Sequence, residues 1–230
     1  MDSLRLQGRA YHVRLKDGVI FEMVPGQGDW FTLLEGYLRR DYLRHGVRIA
    51  PGDTVLDIGA NFGAFTVLAS RMVGKSGQIH AFEPNPETHK RLLRNLEINQ
   101  CTNVIVHNEA IGTGDGQMPF YLADRSAYAS AQPSVNANSF DTAEIIQVAS
   151  RNINTFFNTV EGAIALMKVD CEGGEYDLFQ ELTASNAHRI LQVAMELHRI
   201  PGREMSEVHD ALVQTGFSVV GSRPMVALRD

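Results

Sequence analysis

Hydrophobic and polar positions alternate in three different rhythms along this chain. Residues 4–24 read as two short strands around an Asp17-Gly18 turn. Residues 29–45 place Trp30, Leu33, Leu34, Tyr37 and Leu38 at helical spacing, with Gly46 as the expected stop. After Pro51-Gly52-Asp53 the pattern becomes strand, helix, strand. Buried-type strands are predicted at Thr54–Ile58, Gln78–Phe82, Val104–His107, Ile164–Val169 and Ile190–Leu197. Helices are predicted at Ala64–Val73, Pro86–Asn99, Glu175–Leu182 and Met205–Gln214, the second with Leu92, Leu93 and Leu96 as its inner stripe. Two strands, Ser218–Val220 and Met225–Leu228, close the chain. Repeated βα units predict an α/β fold, a mainly parallel sheet with helices on both faces. The stretch 112–142 is rich in Gly, Ser, Ala, Asn and Asp and reads as a long, partly irregular insertion. We therefore divide the chain into an N-terminal hairpin and helix (1–50) that covers the site, and one compact α/β domain (51–230).

In an open α/β sheet, ligands bind beyond the carboxyl ends of the strands. The first strand runs into Asp57-Ile58-Gly59-Ala60-Asn61-Phe62-Gly63. A dinucleotide fingerprint would place its second and third glycines at Asn61 and Ala64, so the Gly-x-Gly-x-x-Gly pattern fails. What remains is an acid followed by Gly-x-x-x-Gly, suited to a ligand with an amino-acid moiety. Asp57 can reach an ammonium through a water, and Gly59, Asn61, Phe62 and Gly63 can cradle a carboxylate. An ordinary tight βα turn would look similar. The second strand ends in Glu83-Pro84, where an acid can accept both hydroxyls of a ribose or simply cap the next helix. The third ends in Asn108-Glu109-Ala110, a polar residue with a small neighbour that suits an adenine edge or an exposed turn.

The fourth strand ends in Lys168-Val169-Asp170-Cys171-Glu172-Gly173-Gly174-Glu175. Acids at a buried strand terminus cost desolvation, and helix capping accounts for one of these three carboxylates rather than all. The fifth ends in Glu196-Leu197-His198, where Glu196 and His198 face the same side. If the fourth and fifth strands are neighbours, His198 lies close to Asp170 and Glu172.

Val55–Gly63, Ala81–Pro86 and Met167–Glu175 together resemble the three hallmark segments of FkbM-type methyltransferases, and the similarity extends from about residue 35 to 198. The resemblance implies a Rossmann-like class I methyltransferase fold with a seven-stranded, mostly parallel sheet whose last strand is antiparallel. It implies S-adenosylmethionine as the methyl donor and S-adenosylhomocysteine as the product. Cofactor contacts are then expected from Glu35, Asp57, Gly59, Asn61, Phe62, Gly63, Glu83, Pro84, Asn108, Glu109, Ala110 and Asp170, and catalytic roles from Asp170, Glu172 and His198. The expected reaction is O-methylation of a hydroxyl on a sugar or natural-product small molecule; N-methylation of a peptide or amide, or a non-catalytic cofactor-binding module, are the alternatives. His198 or Asp170 could be the general base. A divalent cation on Asp170, Glu172 and His198 is the less favoured version, because the spacing is not a dedicated metal motif. The chain departs from the family where Asn152 or Asn154 stands near a frequent aspartate, just before the fourth strand.

Composition narrows the setting. Of 230 residues, 44% are hydrophobic, and the net charge is −6. That charge argues against a duplex nucleic-acid partner. Two cysteines make no disulfide framework, so the cytoplasm is the expected compartment. No run of about 18 apolar residues is present, so no membrane partner is expected. An NAD-dependent oxidoreductase is disfavoured by Asn61 and Ala64, which break its fingerprint, and by the lack of a Tyr-x-x-x-Lys pair. Phe120, Tyr121 and Tyr128 are candidate acceptor-pocket aromatics, while the acceptor and the oligomeric state stay open.

Overall fold

The computed structural model describes residues 8–122 and 144–229. Tyr128 and much of the 112–142 stretch lie outside them. Five parallel strands form the centre: β3 (Thr54–Ile58), β4 (Gln78–Phe82), β5 (Val104–His107), β9 (Leu166–Val169) and β10 (Gln192–Met195). The hairpin β11 (Ser218–Val220) and β12 (Met225–Leu228) completes a seven-stranded sheet in the order β11-β12-β10-β9-β3-β4-β5. β12 runs antiparallel to β10, as the family resemblance implies.

Both faces of this sheet are covered, so its strands carry apolar residues at successive positions. The residues alternate between layers because a strand's side chains do. Val55 and Leu166 join a cluster with Leu33, Tyr37, Phe65 and Leu68. Leu56, Met167 and Val169 join the opposite cluster with Phe156, Tyr176, Phe179 and Leu212. Helix α2 (Ala64–Val73) starts after Gly63, and α3 (Pro86–Ile98) after Asn85, whose side chain accepts from the amides of Glu87 and Thr88 at 3.0 and 3.4 Å. In α3, Leu92 and Leu96 are buried, but Leu93 is 46% exposed and falls outside the predicted stripe. On the other face lie α5 (Glu175–Glu181) and α7 (Met205–Gln214).

The N-terminal hairpin, β1 (Tyr11–Arg14) and β2 (Ile20–Met23), lies on α3. Two asparagines do the docking. Asn95 Oδ1 accepts from the Glu22 amide at 2.7 Å, and Asn99 Oδ1 from the Ile20 amide at 3.0 Å. The expected helix over 29–45 is shorter. It runs as α1 (Asp29–Leu33), continues as a single π-helical turn over Leu34–Leu38, and ends where Arg40 turns left-handed (φ 53°). Gly46 serves a later turn. The π turn lets Gly36 sit against α2, where an added Cβ would lie 3.2 Å from the Phe65 amide nitrogen.

The 112–142 expectation also needs correction. Residues Gly116–Leu122 form strand β7, which pairs antiparallel with β8 (Glu144–Asn152) in a small second sheet completed by β6 (Ala110–Gly112). β7 is an edge strand, so Pro119 costs no central ladder bond. Ala110, Phe120 and Val148 form the buried face of this sheet. Short helices α4 (Ile153–Phe157) and α6 (Ala184–Ala187), absent from the sequence reading, are each capped by a polar side chain, Asn152 and Thr183 respectively.

Candidate active site

A cavity of about 460 Å³ opens at the carboxyl ends of β3, β4, β9 and β10, with α1 and its π turn on the near side. Glu35, Gly59, Asn61, Glu83, Pro84, Glu109, Ala110, Asp170, Glu172 and His198 all line it. Asp57, Phe62, Gly63 and Asn108 do not. Asp57, Phe62 and Gly63 stand one layer back, and Asn108 lies at the surface. Asp57 is fully buried, accepts from Thr66 Oγ1 at 2.6 Å and faces the Lys168 ammonium at 3.1 Å. Phe62 packs edge-on against Phe21. Gly63 precedes α2 at φ 97°, and a Cβ there would meet Leu92 Cδ1 at 2.7 Å. Asn108 donates to the carbonyls of Glu83 and Pro84 at 2.8 and 3.2 Å, which holds the loop after β4 in place.

Two loops that are far apart in sequence meet at Gly59. Its φ is +77°, and a Cβ would lie 1.8 Å from the Asp170 carbonyl oxygen. Only glycine permits that approach. Lys168 reinforces it from below, donating to the Gly59 carbonyl at 2.6 Å and the Ile58 carbonyl at 3.3 Å.

One end of the cavity is built around Glu83. Its Oε2 accepts from the Asn61 amide and its Oε1 from the Asn85 amide, both at 2.9 Å. Burial pushes its carboxyl up to about 7, against the opposing pull of those two backbone bonds. A carboxylate fixed at both oxygens still has lone pairs for a pair of neighbouring hydroxyls. Phe82, Pro84, Ala110 and Ile111 supply apolar wall at this end.

The other end is acidic. Tyr42 donates its hydroxyl to Asp170 Oδ2 at 2.6 Å. His198 Nε2 faces Asp170 Oδ1 at 3.9 Å and Glu172 Oε2 at 3.4 Å, so the predicted proximity of these three residues holds. Its Nδ1 lies 2.9 Å from Glu175 Oε1, and the Glu175 carboxylate also accepts from the amides of Cys171 and Gly173. Burial disfavours a charged ring, but the bond to Glu175 and the charges of Glu172, Glu175 and Asp170 overcome it and raise the His198 pKa well above the ordinary range. Glu172 is pushed up by burial, with His198 pulling the other way. Glu35 is also raised, first by burial and then by the charges of Glu196, Asp170 and Asp41. Arg223 closes the ring of charges with a 2.6 Å bond to Glu196.

Tyr42, Lys168, Glu175 and Arg223 were not assigned roles by sequence reasoning. Tyr42 sits on a 3-10 turn (Asp41–Leu43) within a stretch expected to be helix, and no spacing rule connects residue 42 with residue 170. Glu175 was visible only as one acid of three. Its burial (0% exposed) marks it as the partner of the histidine.

A buried carboxylate at Glu83, an apolar slot and an acidic end have the chemistry to take the ribose, adenine and cationic amino-acid sulfonium of S-adenosylmethionine. Comparison with known proteins agrees. Residues 57–219 match the model of the methyltransferase FkbM domain. The 31-O-demethyl-FK506 methyltransferase FkbM of Streptomyces tacrolimicus is 28% identical over 92% of this chain and 90% of that protein. Methyltransferase 1 of Beauveria bassiana is 29% identical over 76% of each. Among solved structures, a SAM-dependent O-methyltransferase from Thermotoga maritima superposes with TM-score 0.52 at 14% identity, covering 95% of this chain and 77% of that one. Fibrillarin from Aeropyrum pernix, solved with bound S-adenosyl-L-methionine, gives TM-score 0.51 at 14% identity over 95% and 92%. The chain belongs to the FkbM methyltransferase family and is an S-adenosylmethionine-dependent methyltransferase.

Proposed function

We propose that this enzyme methylates a hydroxyl group of a small-molecule acceptor, a sugar or a natural-product scaffold. The observation that carries this reading is the placement of Asp170. Tyr42 holds one carboxylate oxygen, and the other faces the cavity beside the His198 ring. An alcohol is a poor nucleophile until its proton leaves, so a positioned base is what an oxygen acceptor needs. The Streptomyces relative is named for an O-demethyl acceptor, which supports the same reading.

In the proposed site Glu83 holds the ribose hydroxyls, and Glu109 and Ala110 border the adenine. Asp170 and Glu35 face the amino-acid end, with Gly59, Asn61 and Pro84 shaping the wall. Bound S-adenosylmethionine supplies an electrophilic methyl group on a positively charged sulfur. Asp170 Oδ1 accepts the acceptor's hydroxyl proton. His198 is not assigned the base role in this reading, because both of its ring nitrogens already face carboxylates and these favour its charged form. It faces the Asp170 and Glu175 carboxylates and offsets their charge instead. Phe31, Thr32 and Glu35 border the cavity and would help position the acceptor oxygen, and such positioning is a large part of the catalysis. Two half-buried free cysteines, Cys101 and Cys171, are consistent with the reducing cytoplasm as the compartment. Among the described residues, no helix is long and apolar enough to cross a membrane.

Asp170, Glu196 and His198 can bring ligand atoms within 4.8 Å of one another, the geometry of a possible cation site. Yet Glu196 is already paired with Arg223 at 2.6 Å, and both ring nitrogens of His198 face carboxylates. We therefore propose metal-independent transfer. The test is transfer of labelled methyl from S-adenosylmethionine to a panel of alcohols and amines, with and without EDTA. Labelled ether product at an unchanged rate in EDTA is expected, and Asp170→Asn should lower the rate by about 100-fold or more. Product on nitrogen alone, an Asp170→Asn rate like the wild type, or a loss in EDTA restored by Mg²⁺ would each overturn the corresponding part.

A further inference from the structure

The segment from Asp29 to Leu38 buries Leu33 and Tyr37 but leaves Trp30 54%, Phe31 64%, Leu34 39% and Leu38 48% exposed. Among the described residues, the other exposed large apolar side chains come one each from separate elements or loops. Scattered residues of that kind are ordinary, whereas a contiguous apolar row marks a binding surface. Spacing of four along the helix sets Trp30, Leu34 and Leu38 in one stripe, with Phe31 beside Leu34. The row does not stop at the surface. Phe31 also lines the cavity, and the cavity wall continues in Phe65, Ile111 and Phe120.

We propose that this row holds the apolar body of the methyl acceptor, while the acceptor's hydroxyl passes Phe31 into the cavity. The inference rests on the methyltransferase reading above and narrows it. The acceptor carries a hydrocarbon or aromatic body alongside its reacting hydroxyl, and a free monosaccharide does not qualify. Shape continuity commits the face to this occupant, because a ligand seated on Leu34 and Phe31 is already at the cavity mouth.

Trp30 is the chain's single tryptophan, so its fluorescence reports on this face alone. Full-length protein saturated with S-adenosylhomocysteine would be titrated with 4-octylphenol and with phenol, which share a hydroxyl head and differ in apolar tail. The expected result is a blue shift of Trp30 emission with octylphenol and binding at least tenfold tighter than phenol. The Leu34→Ser/Leu38→Ser double variant should weaken octylphenol about tenfold and leave S-adenosylhomocysteine affinity unchanged. Equal binding of the two phenols, or an unchanged octylphenol affinity in the double variant, overturns the proposal. So does sedimentation showing a wild-type dimer that the double variant abolishes, since the face would then belong to a second copy of the chain. Failure of S-adenosylhomocysteine to bind the wild type would instead strike the cofactor reading itself, and this inference with it.

Discussion

Replacing Lys168 with methionine is expected to cost the fold about 3–5 kcal/mol, measured by urea unfolding. Lys168 is the second residue before Asp170 and is buried at the carboxyl end of the sheet, with 4% of its side chain exposed. Its ammonium faces Asp57 Oδ1 at 3.1 Å, and the Asp57 side chain is 0% exposed. It also supplies hydrogen bonds to the carbonyls of Ile58 and Gly59. Methionine fills the space but leaves a buried carboxylate without its counter-charge, and that orphan is what the cost measures. The double variant Asp57→Asn/Lys168→Met should therefore recover part of the loss, a coupling that independent sites would not show. The same pair holds the loop after β3 against the loop after β9, so cofactor affinity should fall in the single variant as well. A single variant within 1 kcal/mol of the wild type would mean that the pair is screened by water and that the meeting of the two loops rests on Gly59 alone.

The second large effect concerns Glu83. Its two carboxylate oxygens are each fixed by one backbone amide. If the remaining lone pairs take the ribose hydroxyls, Glu83→Ala should weaken S-adenosylhomocysteine binding by about 100-fold or more, at roughly 1.5–3 kcal/mol per bond to a charged acceptor. Calorimetric titration of both proteins, each first shown to be folded, measures this directly. The pH dependence has a definite sign. The Glu83 carboxyl is raised from 4.5 to about 7, chiefly by burial. The ionised form is the one that accepts two hydroxyls, so affinity should be flat above about pH 7 and fall about tenfold per pH unit below it. Stability of the free protein runs the other way. A raised carboxyl pKa means the fold binds the proton more tightly than the unfolded chain, so this contribution is greatest below pH 4.5 and is lost as the pH rises towards 7. Wild-type affinity in the alanine variant, or no change in affinity between pH 8 and 5.5, would remove Glu83 from the ribose site.

The effects at Lys168 and Glu83 differ in how visible they were beforehand. Glu83 was legible in the chain because it ends a strand and is followed by Pro84 and Pro86, a local pattern with a local meaning. The same holds for β3, β4 and β9. Their apolar runs and the turn residues after them lie within a few positions of each other, so periodicity locates them and their carboxyl ends, although β9 begins at Leu166 rather than at the expected Ile164, and the order of βα units limits the sheet to few topologies. The small sheet of β6, β7 and β8 was not legible. β7 and β8 are each other's main partners across residues 123–143, and a strand whose stability comes from a distant partner carries little signal of its own. The shortened helix at Asp29–Leu38 was misread for a related reason. The helical spacing of Trp30, Leu33, Leu34, Tyr37 and Leu38 carries no mark of the π turn at Leu34–Leu38 or of the left-handed Arg40 that ends the segment, since both are backbone features set by packing.

By itself, then, the sequence determined the class of fold, the strand ends at which chemistry gathers, and the family with its methyl donor. Each follows from short stretches in which residue type and spacing act together. Only the tertiary structure decided which acids meet. It placed Asp57 behind Lys168 and away from the cavity, gave His198 the buried Glu175 as its partner, and brought Tyr42 across 128 positions to within 2.6 Å of Asp170. The physical reason is that a charge takes its role from burial and from what stands within a few ångströms of it. Those neighbours are set by the sheet order and by the close approach at Gly59, which packing creates and the linear order of residues does not display.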